Sequence, residues 1–235
     1  MWSRKPVRNN FMTDNRDARM VADVPRGVMM KKFLLSLCLM FSVLPALAAD
    51  ALKGPDALVR EVSDDVLTIV RKDKAIQSGD TRRVIDLVEE KVLPHFNFRR
   101  MTMLAVGKDW RQANPEQQGK LVEAFRTLLV RTYSNALTQY RDQTIGYKPA
   151  KFAEADTSVR VQTEVRQAGA QPINIDYTLE KTPEGWKVFD VVVAGVSLVT
   201  NYRGTFAQEI RAGGVDGLIR SLEQKNRDLA APAHS

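Results

Sequence analysis

The residues best suited to chemistry are Ser197, inside the stretch GVSLV at residues 195–199, and His95. The stretch resembles the G-x-S-x-G motif that carries the nucleophile of α/β-hydrolases, but Val199 stands where the second glycine belongs. A serine nucleophile also needs a base within hydrogen-bond distance. The sequence has two histidines, and the other one, His234, is the penultimate residue. We therefore interpret Ser197 as a strand-end residue that hydrogen-bonds locally or caps the following helix, and we keep a hydrolase as the alternative.

Other patterns of catalytic or metal-binding residues are absent from the sequence. It has no H-E-x-x-H, no phosphate-binding loop and no paired spacing of metal ligands. The single cysteine, Cys38, lies in a segment that we expect to be removed, which leaves no thiol chemistry and no disulfide. We predict that the protein is not an enzyme and that it needs no metal or redox cofactor.

The N-terminal part of the sequence contains a targeting segment. Residues 29–48 combine a basic start, a short apolar run and an A-x-A ending at Ala48, the three parts of a secretory signal peptide. The apolar run is too short to cross a bilayer as a helix. We predict a signal peptide over residues 29–48 and interpret residues 1–28 as a non-native extension in front of it. The mature protein would then be soluble in the periplasm.

The charge of the chain is concentrated in this same N-terminal part. The chain has 35 basic and 28 acidic residues and a formal net charge of +7, but residues 1–48 hold eight of the basic and three of the acidic ones. The remainder has a net charge of +2. We therefore predict no nucleic-acid partner.

Hydrophobic periodicity predicts one domain over residues 49–228. Apolar residues recur at helical spacing in the first part, where Asn114 and Gln117 bracket a capping box. Apolar and polar residues then alternate, as in antiparallel strands with one wet face. The predicted helices cover about 55–79, 81–93, 98–106, 115–141, 201–212 and 216–226, and the predicted strands cover 158–166, 173–180 and 186–193, with one more near Tyr147. This is an α+β fold of helices packed on a twisted antiparallel sheet of three to four strands, followed by a disordered tail at residues 229–235.

The segment Val191–Val199 is apolar on both faces, which is unusual for a strand of such a sheet. An ordinary filled core explains it, and periodicity alone favours that explanation. A curved sheet closed by helices can also leave an apolar pocket. The pattern of residues leaves both explanations open.

Two long blocks of the sequence resemble one known family. They are VLPHFNFRRMTMLAVGKDWRQANPEQQGKLVEAFRTLLVRTYSNAL at residues 92–137 and GWKVFDVVVAGVSLVTNYRGTFAQEIRAGGVDGLIRSLEQKN at residues 185–226. Both resemble MlaC, also called the toluene-tolerance auxiliary family of periplasmic phospholipid-binding proteins. The likeness extends over nearly all of residues 50–228.

The resemblance implies a function and its partners. It implies a soluble carrier that moves glycerophospholipids between an outer-membrane lipoprotein complex and an inner-membrane ABC transporter complex with its substrate-binding subunit, which keeps phospholipid out of the outer leaflet. It also implies an α+β fold with an NTF2-like part, an apolar pocket for the acyl chains and phospholipid as the cargo. A periplasmic adaptor with a filled core and a lipid hydrolase that uses Ser197 remain the alternatives.

The pattern of apolar residues predicts which side chains line such a pocket. Ile173 and Val196 lie near strand ends, so we expect them at its mouth. Basic residues near the mouth are expected to dock partners or to be ordinary solvated charges; they are Arg99, Arg100, Lys108, Arg111 and Arg203. The predicted lipid-binding residues are Met103, Leu104, Phe125, Leu129, Tyr133, Ile173, Ile175, Tyr177, Val191, Val193, Val196, Val199 and Phe206.

Overall fold

The computed structural model describes residues 53–140 and 142–231, and the predicted signal peptide and extension lie outside them. In this part of the chain five helices are followed by five strands and a sixth helix. The helices are α1 (Pro55–Lys72), α2 (Lys74–Gln77), α3 (Thr81–Lys91), α4 (Phe98–Val106), α5 (Pro115–Tyr133) and α6 (Leu198–Ala230). The strands are β1 (Thr144–Tyr147), β2 (Ser158–Arg166), β3 (Ile173–Thr182), β4 (Gly185–Val193) and β5 (Val196–Ser197).

Helix α5 begins with the capping box that the sequence predicts. The side chain of Asn114 accepts a hydrogen bond from the backbone N–H of Gln117 at 2.9 Å. The side chain of Gln117 accepts in turn from the backbone N–H of Asn114 at 3.0 Å. Pro115 occupies the first helical position, where its missing N–H costs nothing.

Two predicted helices end earlier than expected. The first predicted helix is two helices, because the carboxylate of Asp73 caps α2 by accepting from backbone N–H groups of its first turn. Helix α5 ends at Tyr133 rather than near Arg141, and a 3₁₀ turn follows over Ser134–Gln139. In that turn the hydroxyl of Thr138 donates to a backbone carbonyl at 2.8 Å. Such local side-chain bonds compete with the helical ladder.

The five strands form one antiparallel sheet in the order β1-β2-β3-β4-β5. The predicted count of three to four strands was therefore too low. The additional strand is β5, a two-residue strand that pairs with the end of β4 through Val192–Ser197 and Val193–Val196. A strand this short has too few alternating residues to be recognised by periodicity.

The apolar segment Val191–Val199 is not a single strand, although its apolar pattern resembles one. Strand β4 ends at Val193, and the chain turns through Ala194 at φ 48° and Gly195 at φ 85°. Strand β5 follows, and α6 has already begun at Leu198. Its buried apolar residues belong to two different cores, because Val191 packs with the sheet residues and Val199 with the helices.

Helix α6 contains a break at Gly213 and Gly214, whose φ/ψ values are −140°/16° and 67°/−170°. The two helices predicted on either side of this glycine pair are thus both present. The second half continues to Ala230. Leu229 and Ala230 are therefore helical, whereas the sequence predicted that they begin a disordered tail.

Among the described residues, buried side chains form three clusters. The helical cluster joins α4, α5 and α6 to Phe189 of β4. A second cluster joins α1, α2 and α3 to Val130 of α5. The sheet cluster joins Val59 of α1 to apolar residues of β2, β3 and β4. The helical and sheet clusters meet where β4 leads through β5 into α6.

Candidate functional site: the apolar face of the sheet

One face of the sheet carries apolar side chains along most of its length. Antiparallel partners place their side chains next to each other on the same face, so the strand register groups them into rows. We call the resulting surface the apolar face; it consists of Val159, Val161, Thr163, Val165, Ile173, Ile175, Tyr177, Leu179, Val188, Val191, Val193 and Val196.

The rows differ in exposure from one end of the face to the other. Val159, Leu179 and Val188 form a row that is 5%, 0% and 4% exposed. The row at the opposite end of the strands includes Ile173, which is 47% exposed. Two rows lie between them, and the one next to Ile173 ends in Val196, which is 55% exposed. The face is thus buried at one end and open to solvent at the other.

A β-bulge in β4 keeps the face continuous. Leu179 pairs with Val188 and Thr178 pairs with Asp190, which leaves Phe189 without a partner in β3. Because of this extra residue, Val188 and Val191 both lie on the apolar face although they are three positions apart. The bulge also sends the Phe189 ring to the helical cluster, where it is 9% exposed.

Helix α1 covers the buried end of the apolar face. Val59 is 5% exposed in the sheet cluster, and Leu58 packs against it. Further along α1, Asp64 accepts a hydrogen bond from the Tyr147 hydroxyl at 2.9 Å, and the Arg60 guanidinium lies 4.0 Å from the centre of the Tyr147 ring. Burial, followed by the bond to Asp64, raises the pKa of Tyr147 to about 12. These contacts tie α1 to the edge strand β1.

The structure brings six of the predicted lipid-binding residues together on the apolar face: Ile173, Ile175, Tyr177, Val191, Val193 and Val196. It places four others in the helical cluster: Phe125, Leu129, Val199 and Phe206. The rings of Phe125 and Phe206 pack edge to face at 5.1 Å between centroids, so this part of the predicted lining is a packed core.

Three predicted residues lie elsewhere. Leu104 packs against the helical cluster, whereas Met103 and Tyr133 are each 40% exposed. The sequence prediction missed most of the buried rows of the face, notably Val159, Leu179 and Val188, the residue before the bulge. The alternation in β2 and β3 carried the signal for the first two, since both share a face with residues that were predicted.

Ser197 has the structural role that the sequence favoured. Its hydroxyl accepts from the backbone N–H of Thr200 at 3.1 Å and thereby caps α6. The same hydroxyl lies 2.8 Å and 3.0 Å from the two carboxylate oxygens of Asp190 and donates to them.

His95 lies in a cleft of about 320 Å³ that is also lined by Leu58, Val62 and Pro94. Burial, followed by the nearby Lys187 ammonium, lowers the pKa of this histidine. His95 therefore lies beside α1, whereas Ser197 caps the N-terminus of α6.

A second cleft of about 350 Å³ lies between α4 and α6, and we call it the α4–α6 cleft. It is lined by Met103, Leu104, Gly107, Lys108, Trp110, Arg111 and Arg203. The Arg203 guanidinium donates to the Leu104 carbonyl at 2.9 and 3.1 Å, which joins its two walls. Arg99 stacks over Trp110, with its guanidinium carbon 5.3 Å from the centre of the ring.

Among the described residues, no helix is both long and apolar enough to cross a membrane. Across residues 53–140 and 142–231, no group of three or more His, Cys, Asp or Glu side chains is arranged to hold a metal ion. The fold and the graded apolar face define an α+β protein with a surface suited to an apolar ligand.

Comparison with known proteins identifies the family. The sequence profile of the MlaC protein matches residues 60–224, and the chain belongs to the MlaC family. It is 24% identical over 197 residues to the intermembrane phospholipid transport system binding protein MlaC of Haemophilus influenzae, an alignment that covers 83% of this chain and 92% of that protein. It is 34% identical over 108 residues to the toluene tolerance protein Ttg2D of Pseudomonas putida, which covers 45% of this chain and 49% of the relative.

A solved structure supports the same assignment. The phospholipid-binding protein from Ralstonia solanacearum, determined in complex with a phospholipid, is 40% identical and superposes with a TM-score of 0.72. The superposition covers 76% of this chain and all of the other. The family resemblance inferred from the sequence is confirmed.

Proposed function

We propose that this protein is a soluble periplasmic carrier that shuttles glycerophospholipids between outer-membrane and inner-membrane complexes and so maintains the lipid asymmetry of the outer membrane. The observation that carries the proposal is the apolar face, which passes from fully buried rows to Ile173 and Val196 at 47% and 55% exposure. The phospholipid in complex with the Ralstonia relative supports it.

The cost of exposing acyl chains explains why a carrier needs such a face. Each methylene in water costs about 0.8 kcal/mol, so two long chains cost on the order of 20 kcal/mol to carry bare across an aqueous space. We propose that the chains lie against the open rows of the apolar face, with Ile173 and Val196 at the mouth and the head group near solvent.

The chain organisation follows the same proposal. Residues 29–48 direct export and are removed, residues 1–28 precede the natural start, and residues 49–228 bind the lipid. The name of the Haemophilus relative refers to an intermembrane transport system, which supports a periplasmic location.

We further propose that the α4–α6 cleft docks the partner complexes. Lys108, Arg111 and Arg203 surround Met103, an apolar side chain that is 40% exposed. Such a surface suits an acidic partner surface with an apolar centre. Arg100, which the sequence grouped with these cations, is directed to Glu180 and Phe189 instead.

Native mass spectrometry of protein purified without detergent tests the carrier function. We expect mass increments that match phospholipids, and we expect organic extraction of the same sample to release them. Folded protein that yields no lipid in either measurement would support the adaptor. Release of fatty acid from added phospholipid would support the hydrolase.

A further inference from the structure

The face of the sheet opposite the apolar face holds two carboxylates that bind the cap residues of two helices. Asp190 pairs with Thr178, and both side chains lie on this opposite face. The Asp190 carboxylate accepts from the hydroxyl of Ser197, and one of its oxygens also accepts from the backbone N–H of Val199 at 3.3 Å. Through these bonds Asp190 fastens the first turn of α6 to β4.

Glu180 makes the corresponding contact with α4. One of its oxygens accepts from the side-chain amide of Asn97 at 2.8 Å, and Asn97 caps α4 by accepting from the backbone N–H of Arg100 at 3.0 Å. Arg100 forms an ion pair with the other oxygen of Glu180. Both carboxylates therefore join the sheet to a helix through its N-cap side chain.

The two contacts lie at different positions along the sheet, because Glu180 in β3 is two residues beyond Thr178, the partner of Asp190. Glu180 follows Leu179, which is 0% exposed in the buried row. Asp190 precedes Val191 and lies close to the turn that leads into β5, where Val196 is 55% exposed. Of the two contacts, the one at Asp190 reaches β5, because its partner Ser197 follows the exposed Val196.

The first turn of α6 is also where two cores meet. Leu198 packs against the sheet cluster, whereas Val199 is 2% exposed in the helical cluster. Strand β5 is held to β4 by only two residue pairs. The orientation of β5 and of the first turn of α6 therefore sets the distance between α6 and the open rows of the apolar face.

We propose that Asp190 is a positioning residue that sets the opening of the apolar face by holding β5 and the first turn of α6 against β4. Without the carboxylate, the Ser197 hydroxyl and the Val199 N–H lose their common acceptor, and the wall of the pocket at this end loosens. The proposal rests on the proposed function, since the bound phospholipid is the cargo that this wall retains.

Lipid release from three variants tests the proposal. The protein is loaded with a phospholipid that carries a fluorescent acyl chain, and release is timed after addition of phosphatidylcholine vesicles. We expect Asp190→Ala to release the probe roughly tenfold faster than wild type, because it removes the charged acceptor of two hydrogen bonds. Asp190→Asn keeps one acceptor oxygen and should restore most of the retention.

Glu180→Ala is the matched control, because it removes a carboxylate with the same kind of helix contact at the buried end. It should lower the melting temperature but leave the release rate within about twofold of wild type, a difference well below the effect of one lost hydrogen bond. Equal acceleration by both variants would show a general loss of stability and overturn the proposal. Unchanged release from Asp190→Ala would overturn it as well.

A distance measurement separates this proposal from the carrier function. Spin labels at Arg160→Cys on β2 and Gln208→Cys on α6, in a Cys38→Ser background, report how the sheet and the helix are spaced; both positions are exposed. We expect Asp190→Ala to broaden the distance distribution and Glu180→Ala to leave it narrow. If wild type takes up no lipid, the carrier function fails, and the distances still decide the role of Asp190. An unchanged distance distribution in a folded Asp190→Ala protein contradicts the proposed role of Asp190.

Discussion

Val196 is the residue at which the proposed pocket is most directly tested. It is 55% exposed at the open end of the apolar face. Val196→Glu should fold normally and copurify with at most about a tenth of the wild-type phospholipid, because a carboxylate set against acyl chains loses its hydration. Lipid phosphorus per mole of purified protein measures this.

Leu229→Glu is the control for Val196→Glu, since Leu229 is 47% exposed near the end of α6. It should keep the full lipid load. Ile173→Glu, at the other predicted mouth position, should behave like Val196→Glu. A Val196→Glu protein with the wild-type lipid content would refute the placement of the mouth at this residue.

Ser197 tests the catalytic alternative. Ser197→Ala removes the cap contact to Thr200 at 3.1 Å and the bond to Asp190 at 2.8 Å and should lower the free energy of unfolding by about 1–2 kcal/mol. Lipid content should stay close to wild type, because Asp190 still accepts from the Val199 N–H. Chemical denaturation measures the cost, with the exposed Ser158→Ala as a neutral control. Fluorophosphonate labelling of wild type but not of Ser197→Ala would instead establish a nucleophile.

The raised pKa values of two tyrosines predict the pH range in which alkali destabilises the protein. Burial raises the pKa values of Tyr147 and Tyr202 from 10.0 to about 12. A raised folded pKa means that folding favours the neutral phenol, so this contribution is complete below pH 10.0 and is lost as the pH rises through about 12. The melting temperature should fall across that window, and that of Tyr147→Phe should fall less steeply. A flat profile over the window would contradict the shifted values.

At the scale of the elements, the break in α6 depends on one glycine. Gly214 has φ 67°, a conformation that costs other residues roughly 1–2 kcal/mol, whereas Gly213 has φ −140°. Apart from the neighbouring backbone of α6, no atom of the described residues lies within 4 Å of the position that a Cβ would occupy at Gly214, so Gly214→Ala introduces strain without a clash. It should lower the free energy of unfolding by about 1 kcal/mol.

Gly213→Ala is the control for this prediction. An added Cβ there meets only the Arg220 guanidinium at 3.7 Å, an ordinary contact, and the backbone is not left-handed. Urea denaturation of both variants should therefore separate them. If the two substitutions cost the same, the break in α6 does not depend on the left-handed residue.

At the scale of the whole molecule, charge at the α4–α6 cleft predicts salt-sensitive transfer. If Lys108, Arg111 and Arg203 dock the partner complexes, transfer should slow as the salt concentration passes roughly 0.15 M, where the screening length is about 8 Å. Transfer from a Lys108→Ala and Arg111→Ala double variant should be slower and less salt-dependent. A Lys72→Ala and Lys74→Ala variant, with both substitutions on α1 and α2 away from this cleft, is the control. A transfer rate that does not depend on the salt concentration would contradict the docking proposal.

Local rules in the sequence determined the helices, the strands and their caps. The Asn114 capping box, the bounds of α4 and the alternation of β2 and β3 depend on residues a few positions apart. The family could likewise be recognised from the sequence, because long blocks of residues carried the resemblance. The six sheet residues of the candidate site followed from the apolar pattern of the strands.

Tertiary structure decided where the apolar residues go. The Phe189 bulge and the division of Val191–Val199 between two cores depend on partners in β3 and on helices that lie far away in sequence. Periodicity shows that a side chain is apolar on one face of its element, but not which other element covers that face. For the same reason the sequence placed Phe125 and Phe206 with the sheet residues, whereas packing places them in the helical cluster. The Asp190–Ser197 contact, too, exists only because the turn at Ala194 and Gly195 folds β5 back onto β4.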